Sequence, residues 1–283
     1  MSLSTPLPTD APLIHIRSSR RFPNHPFKSL WEARELIILL ARRDVHLRYQ
    51  HSVAGFGWAV LQPLLTVLVL AAFQIVMGRT STRGMPYPLY AGAALVPWTF
   101  FVHSLNQSSH CLLKHISVMT KVRFPRLVLP LAAVFGAAAD FLASLTLLPI
   151  LMLYYRIPPR WTLLALPLFA GHLIILATAM GIWLAFLNVR FRDTANALPF
   201  ITQLWFFMSP IAYTSEMLPA KWRLIAGFNP MEGILEGFRW TLFGTASPML
   251  GTWLALSWLF TLCLLVSGIL VFLGGEETLT DVL

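Results

Sequence analysis

The chain has little charge and almost no cysteine. Asp, Glu, Lys and Arg make up 12% of its 283 residues, about half the share of an average soluble domain, whereas apolar residues reach 57%. That balance excludes an ordinary soluble domain and points to an integral membrane protein. Only Cys111 and Cys263 are present, one near an expected cytoplasmic segment and one inside an expected span, which gives no basis for a disulfide framework. His103, His110 and His115 around Cys111 follow no zinc-ligand spacing, so no metal is expected.

No Gly-x-x-x-x-Gly-Lys-Ser/Thr occurs, so these residues provide no P-loop for ATP phosphates, and ATP-driven work would need a separate subunit. His-Glu-x-x-His and Gly-x-Ser-x-Gly are missing too, removing the plainest protease and lipase readings. Asp193 and the Glu232/Glu236 pair are too dispersed for the acid/base set of a transferase. No catalytic residue is expected.

What is present is a series of apolar runs separated by basic loops. The net charge of +9 is carried between these runs rather than along one face, which reads as a membrane-orientation signal rather than a nucleic-acid surface. Residues 1–26 hold five prolines and no apolar core of a signal peptide, and a disordered cytoplasmic tail is expected. Ser29-Leu-Trp-Glu32 has the capping-box pattern of a helix start. Leu30, Ala33, Leu36, Ile37, Leu40 and Leu47 then recur at helical spacing among charges, predicting an amphipathic helix over 27–50 at the cytoplasmic interface. Arg42, Arg43 and Arg48 just before the first apolar run hold that end inside.

Six transmembrane helices are predicted at about 56–77, 87–107, 127–155, 161–187, 194–213 and 249–273, within a transmembrane domain of 51–273 followed by a cytoplasmic tail at 274–283. This map puts fourteen Lys and Arg on the inner side and seven on the outer, in the sense expected of cytoplasmic loops. Between the last two spans the chain is apolar yet carries Glu216, Lys221, Arg223, Glu232, Glu236 and Arg239, too many charges to cross lipid. A short helix over 218–226 is expected there. A second should run from Pro230 to about Phe243, with Asn229 as N-cap and Glu232, Glu236 and Arg239 on one face. Together they form two external re-entrant helices, tolerable at membrane depth only against protein or water.

Two ionisable groups, Asp140 and His172, fall deep in the third and fourth spans, which reads either as a proton site or, the favoured reading, as a structural hydrogen bond between the two on antiparallel neighbours. Aromatic residues cluster within spans: Trp58 and Phe73 in the first, Trp98, Phe100 and Phe101 in the second, and Trp205 and Phe206 in the fifth, with Tyr213 beyond. Composition leaves open whether they face lipid, pack, or line a conduit on which sugar rings slide.

Six islands in order now carry a resemblance over about Leu30–Gly244. They are Arg43-Asp44…Arg48-Tyr49…Ser52…Gly55…Trp58…Gln62-Pro63-Leu64; Leu95-Val-Pro97-Trp98; Lys121-Val-Arg-Phe-Pro125-Arg126-Leu-Val-Leu-Pro130-Leu131; Asn188-Val-Arg190…Arg192-Asp193; Ser209-Pro210…Tyr213; and Asn229-Pro230…Gly237-Phe238-Arg239-Trp240. On these the chain resembles the membrane subunit of ABC-2-type polysaccharide exporters, most like O-antigen export permeases and related to teichoic-acid and capsule exporters. The resemblance implies the all-α fold of that exporter class and a permease homodimer. It also implies two copies of an ABC nucleotide-binding subunit, which binds ATP and Mg, so the permease itself is no enzyme and needs no cofactor. The implied substrate is a polysaccharide on undecaprenyl diphosphate, moved out of the cytoplasm across a bacterial inner membrane.

The resemblance also distributes roles. The segment 111–126 becomes the coupling segment, with Ser117, Lys121, Arg123, Phe124, Pro125 and Arg126 facing the ATPase. The helices over 218–243 become external gate helices with Glu232, Glu236 and Arg239. Trp58, Phe73, Trp98, Phe100, Phe101, Trp205, Phe206 and Tyr213 become channel aromatics. Arg42, Arg43 and Arg48 become candidates for receiving the lipid diphosphate at the cytoplasmic mouth, beside their part in setting topology. The alternatives are a teichoic-acid or capsule exporter permease, an ABC-2 exporter of drugs or other small molecules, and a secondary transporter. The last would be expected to show repeated halves and more buried ionisable groups.

Overall fold

A computed structural model describes residues 26–50, 52–77, 82, 84–119, 124–191, 193–217, 219–245 and 247–275. Among the described residues every regular element is a helix. The amphipathic segment forms α1 (Pro26–Glu32) and α2 (Arg34–Tyr49). The start expected at Ser29 therefore lies inside α1: Pro26 opens the helix, its fixed φ and missing N–H suiting a first helical position. The Ser29 carbonyl instead accepts the Ala33 N–H at the joint between the two helices (3.1 Å).

The first apolar run is α3 (Gly57–Met77), and the second is α4 (Tyr87–Lys114). At 28 residues α4 overruns its expected end at residue 107 by two turns. Its C-terminal half carries Ser104, Asn106, Gln107, Ser108 and Ser109, which would be costly against lipid. Ser104, Ser108 and Ser109 are buried inside the protein instead. After the four-residue α5 (Ile116–Met119) the third run comes in two pieces, α6 (Val128–Leu145) and α7 (Leu147–Tyr154). They meet at Thr146, just before Pro149, which cannot donate to the carbonyl four residues back.

A 3-10 turn, Trp161–Ala165, leads into α8 (Leu166–Arg190), followed by α9 (Asp193–Met208). The span expected over 194–213 is cut short, because the chain turns at Ser209 and Pro210. Sixteen residues reach about 24 Å, less than a hydrocarbon core of about 30 Å. Two short helices follow, α10 (Ala220–Ala226) and α11 (Pro230–Phe243), and α12 (Leu250–Gly274) closes the described chain. Among the described residues four stretches are long and apolar enough to cross a membrane: Gly57–Val76, Val128–Tyr154, Trp161–Arg190 and Leu250–Gly274.

α4 is the axis of the bundle and packs against α3, α6, α7, α8, α9 and α11. Between lipid-embedded helices there is little hydrophobic drive, so close packing and internal hydrogen bonds must hold them. The main apolar cluster gathers the first half of α4 with α6, α7, α8 and α11. A second joins Ile37 and Leu40 of α2 to Leu112, Val128, Ile182 and Phe272, which lie at the end of α4, the start of α6 and the latter parts of α8 and α12. These are the helix ends that the alternating map assigns to one side, with α2 lying across them.

Candidate functional site

Three features could bear on function, and the residues singled out above divide among them. The first is a cleft of about 230 Å³ where α2, α3, α4 and α6 meet, lined by Arg48, Tyr49, Trp58, Gln62, His103 and Asp140. Arg48 donates to Asp140 Oδ2 and Tyr49 Oη donates to Asp140 Oδ1 at 2.7 Å. His103 Nε2 lies 3.8 Å from the same carboxylate. Burial, reinforced by the bond to Asp140, pushes the Tyr49 phenol up to about 12, so Tyr49 remains a donor at neutral pH.

Asp140 and His172 therefore do not pair. Asp140 turns to α2, and His172 turns to α12, stacked on Trp258 with ring centroids 3.9 Å apart. His172 Nε2 lies 3.2 Å from Thr261 Oγ1 and 3.4 Å from Ser257 Oγ. Both hydroxyls already donate to carbonyls, Thr261 to Ser257 and Ser257 to Pro230, so Nε2–H is the donor. The two side chains face different neighbours, Asp140 the end of α2 and His172 the face of α12, a relation that depth in the membrane cannot reveal.

The second feature is an aromatic wall. Trp98 lies 5.9 Å from Phe101, 6.2 Å from Trp205 and 5.9 Å from Phe206, and Phe101 meets Trp205 edge-on at 5.3 Å. Phe100 points elsewhere, onto Phe141 at 4.7 Å. Trp98, Phe100 and Phe101 are buried within the chain, while Trp58 and Phe73 are exposed on α3. Beyond the wall, Trp205 and Tyr213 line a groove of about 710 Å³ with Met208, Trp222 and Phe228. Trp205 Nε1 donates to Asn229 Oδ1 (2.9 Å), and Asn229 Nδ2 donates to Ser209 Oγ (2.9 Å). The same Asn229 oxygen caps α11 by accepting the Met231 N–H (3.0 Å). One side chain thus ties wall, turn and helix start together.

The third is α11. Pro230 to Arg239 is buried without interruption, so this helix sits inside the bundle rather than at its rim. Arg239 Nη1 donates to Glu236 Oε1 (3.0 Å), Nη2 donates to the carbonyls of Pro210 (2.5 Å) and Ile211 (3.3 Å), and the guanidinium lies 3.8 Å from the Tyr90 ring centroid. Glu232, on the same helix, is fully buried with no hydrogen-bond partner on either carboxyl oxygen.

At the opposite end, Ser117 is exposed on α5 and Phe124, Pro125 and Arg126 are half-buried before α6. Lys121 and Arg123 lie outside the described residues. Arg42 is exposed, whereas Arg43 bonds to His115 Nε2 and to Asp44 Oδ1 (3.2 Å). His115 Nδ1 in turn donates to the Cys111 carbonyl (2.8 Å). Sequence reasoning missed the part played by Asn188, although its island was noted. Asn188 Nδ2 donates to the Ser109 carbonyl (2.8 Å) and its Oδ1 accepts the Ala195 N–H (3.3 Å), joining α8 to α4 and to the start of α9. A buried amide beside a basic turn was the available signal.

Long apolar helices around a buried, partly polar axis, with a charged helix folded back into the bundle, make this a multi-pass membrane protein. A sequence model of the ABC-2 type transporter family matches residues 35–243, and the chain belongs to that family. It is similar to the O-antigen export system permease protein RfbA of Myxococcus xanthus, 29% identical over 214 residues covering 75% of this chain and 82% of that one. The RfbA of Klebsiella pneumoniae is 27% identical over 72% of this chain and 79% of its own. The polysialic acid transport protein KpsM of Escherichia coli is 24% identical over 84% of this chain and 92% of its own. The chain is thus a permease of the ABC-2 transporter family, and such a permease works with a partnering ATPase subunit.

Proposed function

We propose that the chain is the channel-forming subunit of an exporter that moves undecaprenyl-diphosphate-linked polysaccharide of O-antigen type from the cytoplasm across the bacterial inner membrane. The observation that carries this reading is the groove lined by Trp205, Tyr213, Trp222 and Phe228, backed from inside the bundle by the buried Trp98 and Phe101. Aromatic faces stack on the apolar faces of sugar rings without fixing a tight site, which suits a polymer that must slide. Similarity to permeases named for O-antigen export supports the same substrate class.

In this reading α3, α4, α6–α7, α8, α9 and α12 make six crossings, with both chain ends in the cytoplasm. α9 crosses despite its length because the turn at Ser209–Pro210 and α11 complete its path within protein. Two copies enclose the channel and each docks one ATPase, which binds ATP and Mg. The segment 111–126 transmits the ATPase movement, α10 and α11 form the external gate, and Arg42, Arg43 and Arg48 stand at the entrance for the lipid diphosphate. Deleting the gene and staining for surface polysaccharide tests the reading: polymer should be lost from the surface and lipid-linked polymer should accumulate inside. Normal surface polymer with no internal accumulation would overturn it. The similarity to a polysialic acid transporter favours a capsule exporter as the second reading, which predicts loss of capsule with O-antigen intact.

A further inference from the structure

The arginines of α2 fall into two pairs. Arg43 and Arg48 turn inward to Asp44, His115 and Asp140. Arg34 and Arg42 are exposed and make no ion pair among the described residues; Arg34 only stacks on Trp31, 5.2 Å from its ring centroid. Arg34, Ile38, Arg42 and His46 follow one another at four-residue steps, so they form one row along the helix. That row borders a cleft of about 990 Å³ between α2 and the outer face of α6, lined also by Phe135, Ala139 and Phe56. The volume is at the upper end of the ~300–1,000 Å³ range of ligand clefts.

We infer that this cleft is a binding site for an anionic phospholipid, its acyl chains lying against Phe135 and Ala139 and its phosphate held at the Arg34–Arg42 rim. The charge pattern is the argument. An apolar cleft left open on a membrane protein is filled by lipid of some kind, and a rim of two guanidiniums with no ion pair among the described residues selects the anionic kind. Arg34 and Arg42 are about 12 Å apart along the helix, both at the level where phosphates of the cytoplasmic leaflet lie. Trp31, exposed at 69%, sits where indole rings anchor a helix at the headgroup boundary. The bound lipid would wedge α2 against α6 next to the Arg48–Asp140 pair, stabilising the joint that Tyr49, common to both clefts, already spans.

This inference rests on the cytoplasmic-interface placement of α2 proposed above. That placement is checked separately by labelling Arg42→Cys with an impermeant thiol reagent, which should react only from the cytoplasmic side. Lipid binding is then tested on the permease–ATPase complex by native mass spectrometry. Phosphatidylglycerol and phosphatidylcholine of identical chains are titrated in, and lipid retained per permease is counted. Phosphatidylglycerol should be retained preferentially, and Arg34→Gln with Arg42→Gln should lower its affinity about thirtyfold, at about fivefold per arginine. Arg190→Gln, an equal change of charge at an exposed residue of α8, should change nothing. Ala139→Trp should displace both lipids by filling the cleft. Equal retention of the two lipids, or an unaltered preference in the double variant, overturns the inference. So does displacement of phosphatidylglycerol by a polyprenyl diphosphate that depends on Arg34 and Arg42, an outcome that would leave the proposed entrance at Arg42 standing and extend it to the whole cleft.

Discussion

Arg48 and Asp140, 92 residues apart in sequence, form an ion pair that pins the end of the interface helix to the middle of α6. Tyr49 shares the same carboxylate, so Asp140 takes bonds from two consecutive residues of α2. Asp140→Asn retains an oxygen for Tyr49 and should leave ATP-driven export largely intact. Asp140→Ala removes both bonds and should destabilise the permease by about 1–3 kcal/mol, measured as a lowered unfolding temperature in detergent. A proton-coupled carrier using Asp140 would instead be inactive as the Asn variant, which separates the two outcomes in one transport assay.

Tyr49 supplies a pH test of the same joint. Its pKa is raised from 10.0 to about 12 by burial and by the bond to Asp140. The folded state therefore holds this proton more tightly than the unfolded one, and the corresponding stability is complete below pH 10. It should be lost as pH rises from 10 to about 12. Tyr49→Phe should lack this loss, so the difference in unfolding temperature between wild type and variant should be constant below pH 10 and shrink above it. A difference that does not change with pH would show that the phenol is not held as its proton.

Arg239 is buried with its charge answered by Glu236, by two turn carbonyls and by the face of Tyr90. Arg239→Ala would remove the cation that faces the buried Glu236 carboxylate, a change that costs about 3–5 kcal/mol. Severe loss of folded permease is expected by fluorescence-detected gel filtration. Arg239→Lys keeps the charge but not the planar fork that reaches carboxylate and carbonyls together, and should fall between. Glu232→Gln should be tolerated far better than either, because neither carboxyl oxygen has a partner to lose.

These three sites differ in how far they could be read from the sequence. α11 was legible almost to the residue, because Asn229-Pro230 and Glu232 are start signals that act through the local backbone. The common face of Glu236 and Arg239 follows from helical spacing alone. Asp140 was visible as an intramembrane charge, but its partner was assigned to the wrong helix, since depth is a local property and azimuth is set by packing. α4 shows the converse: it lies outside the four strongly apolar stretches because the bundle encloses it. A helix surrounded by protein can carry serine and asparagine that a lipid-facing helix cannot. The aromatic wall was legible as composition only, because Phe100 and Phe101, adjacent in sequence, point at different neighbours.

The seating of α11 yields a last prediction. Gly233 and Gly237 stand four residues apart on one face, the small-xxx-small pattern by which membrane helices approach closely. A Cβ on Gly233 would stand 2.8 Å from the Trp253 carbonyl oxygen of α12, and a Cβ on Gly237 would run into the ring of Phe169 on α8. The two obstacles are unlike. Backbone of α12 cannot rotate aside, whereas the Phe169 ring can shift if its neighbours yield. Gly233→Ala should therefore cost more than Gly237→Ala, within the about 1–3 kcal/mol typical of overpacking. Gly171→Ala, which meets nothing within 4 Å, should be silent. Unfolding temperatures of the three purified variants provide the ranking, and an α11 that moves freely as a gate without resting on α12 would show Gly233→Ala as silent as Gly171→Ala.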